Sequence, residues 1–233
     1  MPRTVPLPVG MVAVVGLLLC AGCTDDAAES SPEDLAPRLS AARGVLDAAE
    51  SLQFRLATEA LPDGTEGLIE ADGVGNHAPT FDGTVTVVAA GLGQVDAELV
   101  SVRGEVVAKI GFVREFTPID PADYGAPDPA AMVSADGGVS SWLTATTALQ
   151  AGDESRDGEL ILTTVSGTLP GTVVQSLIPS ADEAADFDAR YRLTDDDVLR
   201  DAQITGPFYA GVDDVTYDLA VSASDDPVEI SLP

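Results

Sequence analysis

The sequence predicts an α+β domain in which about ten antiparallel strands form one curved sheet, with a few helices on its concave face. Apolar and polar side chains alternate over many short segments, which is the period of a half-buried strand. Asp-Gly pairs lie between several of these segments and are typical of hairpin turns. Aspartates outnumber glutamates by 26 to 13, and aspartate favours turns whereas glutamate favours helix faces.

The charge and the apolar content together indicate a folded domain with an acidic surface. The chain has 233 residues, a formal net charge of -28 and 45% hydrophobic residues, whereas a disordered acidic chain would be poor in apolar residues. Lys109 is the only lysine and the ten arginines are scattered, so no basic stripe is available for nucleic acid. The same sign of charge argues against attraction to anionic lipid headgroups.

Residues 1–22 are predicted to be a signal peptide that is removed. Arg3 supplies a short positive segment, and residues 9–19 are an unbroken run of apolar residues and glycine. This run is too short for a membrane-spanning helix, which needs about 20 residues, but it suits the apolar part of a secretion signal.

The segment Cys20-Ala21-Gly22-Cys23 resembles a bacterial lipobox, with Cys20 at a position where leucine is usual. By that resemblance Cys23 is acylated and becomes the mature N-terminus, and two or three acyl chains hold a protein stably on a bilayer. The alternative is a secreted protein that is cut at Ala21-Gly22 and leaves Cys23 unmodified. Cleavage before Cys23 would leave one cysteine, which excludes an intramolecular disulfide and a cysteine cluster for zinc.

The mature chain is predicted to be a lipidated flexible tether followed by one domain. Residues 24–34 are polar and acidic, so residues 23–34 are assigned to the tether. Residues 35–233 contain no proline- or glycine-rich linker long enough to separate two domains, and they are assigned to a single domain.

The first half of the domain is predicted to be a helix and an antiparallel meander. A helix is expected over about 32–51, because Ser31 can cap it and its apolar residues recur every three to four positions. Alternation then predicts strands at residues 54–59, 84–89, 94–99 and 105–112. Hairpin turns are expected at Asp63-Gly64, Asp72-Gly73, Asp82-Gly83 and Arg103-Gly104.

The second half follows a proline-rich loop at residues 117–129. Residues 138–151 are predicted to form a helix, and residues 170–178 a shorter one. Strands are expected at 159–166, 186–193, 199–205, 214–222 and 228–232, with a turn at Asp157-Gly158.

Several motifs, in this order, resemble those of the LppX/LprA/LprF/LprG-type lipoproteins of mycobacteria and related actinobacteria. They are the lipobox that ends in Cys23, the helix followed by Ser51-Leu52-Gln53-Phe54, the segment FTPIDPADYG at 116–125, GVSSWL at 138–143, VSGTLP at 165–170 and the closing Asp226-Pro227-Val228. The resemblance covers essentially the whole mature chain.

The resemblance implies a strongly curved antiparallel half-barrel, similar in shape to the LolA/LolB carriers, with helices on its concave face and a large apolar cavity. It implies a non-enzymatic monomer on the outer face of the plasma membrane, or further out in the cell wall or outer envelope. The ligands that it implies are multiply acylated lipids, such as triacylated glycolipids, triacylglycerols or phthiocerol esters. These would be moved from the plasma membrane to the outer envelope, in some members beside a major-facilitator efflux transporter.

Nine side chains are candidates for lining such a cavity, on the premise that inward-facing aliphatic and aromatic residues surround acyl chains. They are Phe54, Leu56, Val95, Leu99, Ile110, Trp142, Leu143, Tyr191 and Leu219. The same pattern suits an ordinary aliphatic core, so the residues leave both interpretations open.

Two rival functions remain open at the level of sequence. The first is a non-catalytic accessory lipoprotein of an envelope transporter with a solid core. The second is an envelope hydrolase, although the one histidine, His77, lies in a predicted loop, and neither a GxSxG elbow nor a GxxxxGK loop is present. Asp195-Asp196-Asp197 lacks the spacing of a calcium loop and is assigned to a turn. No cofactor or metal is expected.

Overall fold

The computed structural model describes Met1 and residues 32–124 and 126–233. The signal peptide, Cys23 and most of the tether lie outside these residues. The strands are β1 (Ser51–Ala57), β2 (Gly67–Asn76), β3 (Thr80–Ala89), β4 (Gly93–Val102), β5 (Glu105–Ile110), β6 (Thr117–Ile119), β7 (Thr147–Asp157), β8 (Leu160–Pro170), β9 (Asp186–Thr194), β10 (Leu199–Gly206) and β11 (Val215–Ser224). The helices are α1 (Pro32–Asp47), a 3₁₀ helix (Pro121–Tyr124), α2 (Pro129–Met132), α3 (Ser140–Ala145) and α4 (Gly171–Gln175).

The strands form one curved antiparallel sheet in which two meanders meet at the centre. The order is β6-β5-β4-β3-β2-β1-β11-β10-β9-β8-β7, so the first and last strands of the chain are neighbours. β1 pairs with β11 from Ser51 opposite Ser224 to Ala57 opposite Asp218. This pairing divides the concave face into a first half, under β1–β6, and a second half, under β7–β11.

The predicted alternation is confirmed most clearly on β9 and β11. On β9 the residues Phe187, Ala189, Tyr191 and Leu193 are buried and their neighbours are exposed or half-buried. On β11 the same holds for Val215, Tyr217, Leu219 and Val221. A strand that packs on one face and meets water on the other requires this pattern.

The helices divide between the two halves of the concave face. α1 packs against α3, β7 and β11, and α3 and α4 pack against β8, so these three helices cover the second half. α2 packs against β2, β3 and β4, and the 3₁₀ helix packs against β3, so these two short helices cover the first half. The two halves therefore have covers of different thickness.

The helix predicted over 138–151 is too long, because α3 ends at Ala145 and β7 begins at Thr147. Thr146 has extended backbone angles, and its hydroxyl donates a hydrogen bond of 2.8 Å to the carbonyl oxygen of Trp142. The hydroxyl and the backbone N–H of Thr146 both donate to this carbonyl at the helix end, and the β-branched Thr147 that follows favours a strand.

Two of the predicted hairpin turns are also wrong. Asp72-Gly73 lies within β2 and Asp82-Gly83 within β3, where Gly73 and Gly83 are opposite each other. A Cβ atom on Gly73 would come within 2.6 Å of the Phe81 ring, and one on Gly83 within 2.8 Å. These glycines therefore allow the buried ring to lie against the backbone of both strands.

Other elements differ from the sequence prediction at their ends. α1 begins at Pro32, as predicted, but it ends at Asp47, about one turn earlier than expected. β5 ends at Ile110, which leaves Phe112 outside the sheet and fully exposed. Residues 228–232 form no strand, although the side-chain amide of Asn76 donates a hydrogen bond of 3.0 Å to the carbonyl oxygen of Val228.

Candidate functional site

An apolar pocket lies on the concave face of the first half of the sheet. Its floor consists of inward-facing side chains of the first five strands: Phe54, Leu56, Leu68, Ala71, Val85, Val87, Ala89, Val95, Ala97, Leu99 and Ile110. The alternation of these strands places hydrocarbon side chains on one face, so the floor has no polar side-chain atom.

The pocket is covered by a roof, which we define as residues 119–124 and 126–132. The roof residues that line the pocket are Ile119, Pro121, Tyr124, Ala126, Pro127, Pro129 and Met132. Among the lining side chains only Tyr124 carries a polar atom, its hydroxyl. The many prolines of the roof lack an N–H group, which reduces the number of backbone donors that must be satisfied next to an apolar surface.

The pocket is narrow. The cavity volume is about 50 Å³. A larger space of about 700 Å³ between the roof and the floor includes open solvent at the mouth of the pocket. Pockets that hold drug-sized ligands measure about 300–1,000 Å³. The pocket therefore holds a ligand of that size only if the roof and the sheet move apart. Leu92 lines the pocket and is also 69% exposed, so the pocket reaches the surface at the β3–β4 turn.

One end of the roof is attached to the floor by a polar contact with a buried serine. Asp128 caps α2, since its Oδ1 accepts a hydrogen bond of 3.0 Å from the backbone N–H of Ala130. The same oxygen accepts a hydrogen bond of 2.6 Å from the hydroxyl of Ser101, a fully buried residue of β4. The other end of the roof is attached through β6, which pairs with β5 from Val106 opposite Ile119 to Ala108 opposite Thr117.

His77 ties the roof to α1 and does not simply face the solvent, as its predicted loop position suggested. Its Nδ1 lies 3.0 Å from the carbonyl oxygen of Val133, directly after α2, and its Nε2 lies 3.1 Å from that of Leu46, in the last turn of α1. The ring therefore joins the β2–β3 turn to both helices, which is a structural role.

A pair of buried tyrosines shapes the end of the pocket at Leu68. The ladder between β2 and β3 is irregular at this point. The backbone N–H of Leu68 donates to the hydroxyl of Tyr209 at 3.2 Å, and the hydroxyl of Tyr217 donates to the carbonyl oxygen of Leu68. The two hydroxyls also bond each other at 2.8 Å. Burial raises the pKa of both phenols, so this cluster stays neutral.

The nine candidate lining residues fall into two groups. Phe54, Leu56, Val95, Leu99 and Ile110 line the pocket. Trp142, Leu143, Tyr191 and Leu219 are buried in the second half and do not line it. The alternation identified the inward face of each strand, but it carried no information on which half of that face would be filled by helices.

The second half is filled by protein side chains. α3 contributes Trp142 and Leu143, and the Tyr191 hydroxyl bonds the Thr146 hydroxyl at 2.7 Å. The ring of Phe208 packs edge-on against Phe187 and Tyr217, at centroid distances of 4.9 Å in each case. Burial raises the pKa of Tyr191 as well. The thick cover of α1, α3 and α4 leaves this half as an ordinary core.

Sequence reasoning missed the roof residues and the small residues of the floor. The sequence assigns the proline-rich segment only to an irregular loop. The nine candidate lining residues are all bulky, whereas Ala71, Ala89 and Ala97 are apolar but small. Their signal was present in the alternation of β2, β3 and β4, because each follows the inward register of its strand. Small inward side chains also occur in the second half, at Ala189 and Ala202, so they do not by themselves distinguish the two halves.

A metal centre and a membrane-spanning helix are two further kinds of site, each with its own structural requirements. Within it, no group of three histidine, cysteine or acidic residues is placed to hold a metal ion. Among the described helices, none combines the length and the apolar character that a membrane span requires.

Comparison with known proteins finds a matching family model and several similar solved structures, including two from mycobacteria. The model of the family described as LppX_LprAFG lipoprotein matches residues 34–230. The structure of LprF from Mycobacterium bovis is similar with a TM-score of 0.68 at 17% identity, over 88% of this chain and 99% of that one. The structure of lipoprotein LppX from Mycobacterium tuberculosis is similar with a TM-score of 0.59 at 16% identity, over 86% and 100%. Among curated proteins, none matches the sequence.

Proposed function

We propose that this chain, which belongs to the LppX_LprAFG lipoprotein family, is a lipid-anchored carrier of acylated lipids or glycolipids outside the cytoplasm. It takes up acyl chains in the pocket of the first half and helps to move them from the plasma membrane to the outer envelope. The reaction is binding and release, without covalent chemistry.

The observation that carries the proposal is the composition of the pocket wall. All eleven floor side chains are hydrocarbon, and the roof adds one hydroxyl, that of Tyr124. Such a wall offers nothing to a sugar or a phosphate, whereas it suits an alkyl chain. Burial of alkyl groups contributes about 0.8 kcal/mol per methylene, so a chain of some ten buried methylenes is held by about 8 kcal/mol before the costs of binding.

The narrow pocket requires that the roof moves during loading. The roof is attached at Asp128 and at β6. Between these two points the floor is covered by the short 3₁₀ helix, which has no buried residue, and by the described residues that flank this helix. A segment with few buried contacts opens at low free-energy cost. We infer that acyl chains separate this segment from β3 and that the polar head of the lipid remains at the exposed end near Leu92.

Anchoring is the second part of the proposal. The lipobox resemblance assigns acylation to Cys23, and residues 24–31 separate it from α1, which begins at Pro32. These eight residues reach at most about 29 Å when fully extended. The anchored domain would therefore stay close to the outer face of the plasma membrane and act as a monomer, with a major-facilitator transporter as a candidate partner.

A test is native mass spectrometry of the full chain produced in a mycobacterial host. We expect adducts with the mass of acylated lipids on the protein, and uptake of a fluorescent triacylglycerol by protein that has been delipidated. An absence of both would refute the carrier function.

The second candidate function is that of a non-catalytic accessory lipoprotein of an envelope transporter, with a solid core. The small cavity volume of about 50 Å³ favours it. It predicts that the delipidated protein takes up no triacylglycerol. It also predicts that substitutions in the pocket leave the accumulation of envelope lipids unchanged, whereas the carrier function predicts that they disturb it.

A further inference from the structure

Three exposed apolar side chains lie at one end of the sheet, beside the pocket. Leu92 is 69% exposed in the β3–β4 turn, and Phe112 and Val113 in the β5–β6 connection are fully and 52% exposed. These two connections belong to neighbouring hairpins, since β4 lies between β3 and β5. We call residues 90–92 and 111–116 the apolar tips.

Both tips lie at the same end of the strands. Ala89 is opposite Gly93 at the β3–β4 turn, and the backbone N–H of Gly111 donates to the carbonyl oxygen of Asp96 on β4. β4 therefore begins at the tip that contains Leu92, and its residue Asp96 lies beside the start of the tip that contains Phe112. The tip at Leu92 also lines the pocket, so the exposed apolar surface continues into the pocket wall.

The charge of the tips differs from that of the rest of the surface. In a chain with 39 acidic residues, the tips contain one, Glu115, together with Arg114. Lys109, the only lysine, lies 4.3 Å above the ring centroid of Phe116 and pairs with Glu98 at 2.9 Å. At the opposite end of the sheet, the β9–β10 turn contains Asp195-Asp196-Asp197, of which Asp197 pairs with Arg38, and Glu159 lies beside the exposed Leu160.

We propose that the apolar tips insert into the interface of a lipid bilayer and place the mouth of the pocket against it; this inference rests on the proposed carrier function. Exposed aromatic and aliphatic side chains with no net charge favour the boundary between headgroups and acyl chains, and Lys109 and Arg114 can reach the headgroup phosphates beside them. Insertion gives an acyl chain a continuous apolar path from the membrane past Leu92 into the pocket, so that it does not cross water.

The bilayer suits this surface better than a protein partner does, because the apolar residues protrude from two hairpin tips. A protein interface of ordinary size buries about 800 Å² on each partner and needs a complementary surface. Protruding side chains need only a fluid apolar phase. The acidic β1–β2 loop, with Glu59, Asp63 and Glu66, lies at the same end and limits insertion to the edge formed by β3–β6.

The test is depth-dependent fluorescence quenching with the full anchored chain in phosphatidylcholine vesicles whose acyl chains carry bromine. Phe112→Trp places a tryptophan in a tip, and Leu160→Trp places one on an exposed turn at the opposite end as a matched control. The native Trp142 is buried and contributes equally to both. We expect bromine to quench Phe112→Trp and to leave Leu160→Trp unchanged. Equal quenching of both variants, or quenching of neither, would overturn the proposal. A blue shift in the tryptophan emission of Phe112→Trp that depends only on protein concentration would also overturn it, because such a shift marks self-association.

A second measurement separates this proposal from the carrier function. The double variant Phe112→Asp/Val113→Asp is expected to extract a fluorescent triacylglycerol from vesicles about ten-fold more slowly, while it takes up the same lipid normally from detergent micelles. Val198→Asp, on the acidic tip of β9–β10, is the control and should extract at the normal rate. Normal extraction by the double variant would overturn the docking surface. Failure of the unmodified protein to take up lipid from micelles would refute the carrier function instead.

Discussion

The hydroxyl of Ser101 on β4 donates a hydrogen bond of 2.6 Å to the carboxylate of Asp128, which caps α2. A floor strand and the roof of the pocket are thereby joined through a polar pair, of which the serine is fully buried, next to an otherwise apolar wall. Because a buried hydroxyl without a partner is costly, the pair fixes where this end of the roof lies. The other end of the roof is attached through the pairing of β6 with β5.

Replacement of Asp128 by alanine is expected to lower the free energy of unfolding by about 2 kcal/mol. The variant loses an N-cap, which contributes about 1 kcal/mol, and leaves the Ser101 hydroxyl buried without an acceptor. Urea unfolding followed by circular dichroism measures the change. The exposed Asp123 of the 3₁₀ helix provides the control, and Asp123→Ala should stay within about 0.5 kcal/mol of the unmodified protein. Similar values for both variants would contradict the role of Asp128.

A larger side chain on the floor is expected to block lipid uptake. Ala97→Phe adds a ring to the pocket, and we expect triacylglycerol uptake to fall at least ten-fold, with a change in stability of less than about 3 kcal/mol. Uptake is measured by fluorescence and the loaded state by native mass spectrometry. Val88→Phe is the control, because Val88 is the neighbour of two lining residues on β3 but does not itself line the pocket. Unchanged uptake by Ala97→Phe would place the ligand elsewhere.

Alkaline pH is expected to unfold the protein through its buried phenols. Burial raises the pKa of Tyr191, Tyr209 and Tyr217 in the folded state above the unfolded value of about 10. The unfolded chain therefore loses these protons first, so their contribution to stability is complete below about pH 10 and is lost as the pH rises further. Phenolate absorbance and circular dichroism should change together as these three residues ionise. Ionisation of all three in a protein that keeps its native circular dichroism would refute their burial.

Anchoring through Cys23 predicts a change of compartment. Cys23→Ala should move the protein from the membrane fraction to the soluble fraction, because removal of the acyl chains removes the stable attachment. Lipid uptake by the released protein should be unchanged, since the pocket lies in the domain and not in the tether. Fractionation and immunodetection measure the distribution, with Cys20→Ala as the control that should stay in the membrane fraction. Retention of the Cys23→Ala protein there would show that the lipobox interpretation is wrong.

The errors in the predicted elements have local causes. The Asp-Gly pairs within β2 and β3 predict turns, but a glycine is favoured both in a turn and where a ring lies close to the backbone. Here Phe81 lies against both glycines. The helix at 138–151 was extended into β7 because apolar residues continued at helical spacing past Thr146. In the first case the packing of a ring across two neighbouring strands outweighed the local pattern, and in the second a side chain that bonds the backbone did so.

The sequence by itself determined the antiparallel strands, the inward face of each strand and the acidic outer surface, because alternation and charge are properties of consecutive residues. The tertiary structure alone decided that β1 lies beside β11, and therefore which inward residues share a half of the concave face. It also decided that three helices fill one half, around Trp142 and Tyr191, while a thin roof covers Phe54, Leu99 and Ile110. Whether an inward apolar side chain meets another side chain or a void depends on what packs over it, and that cover comes from segments far away in the chain.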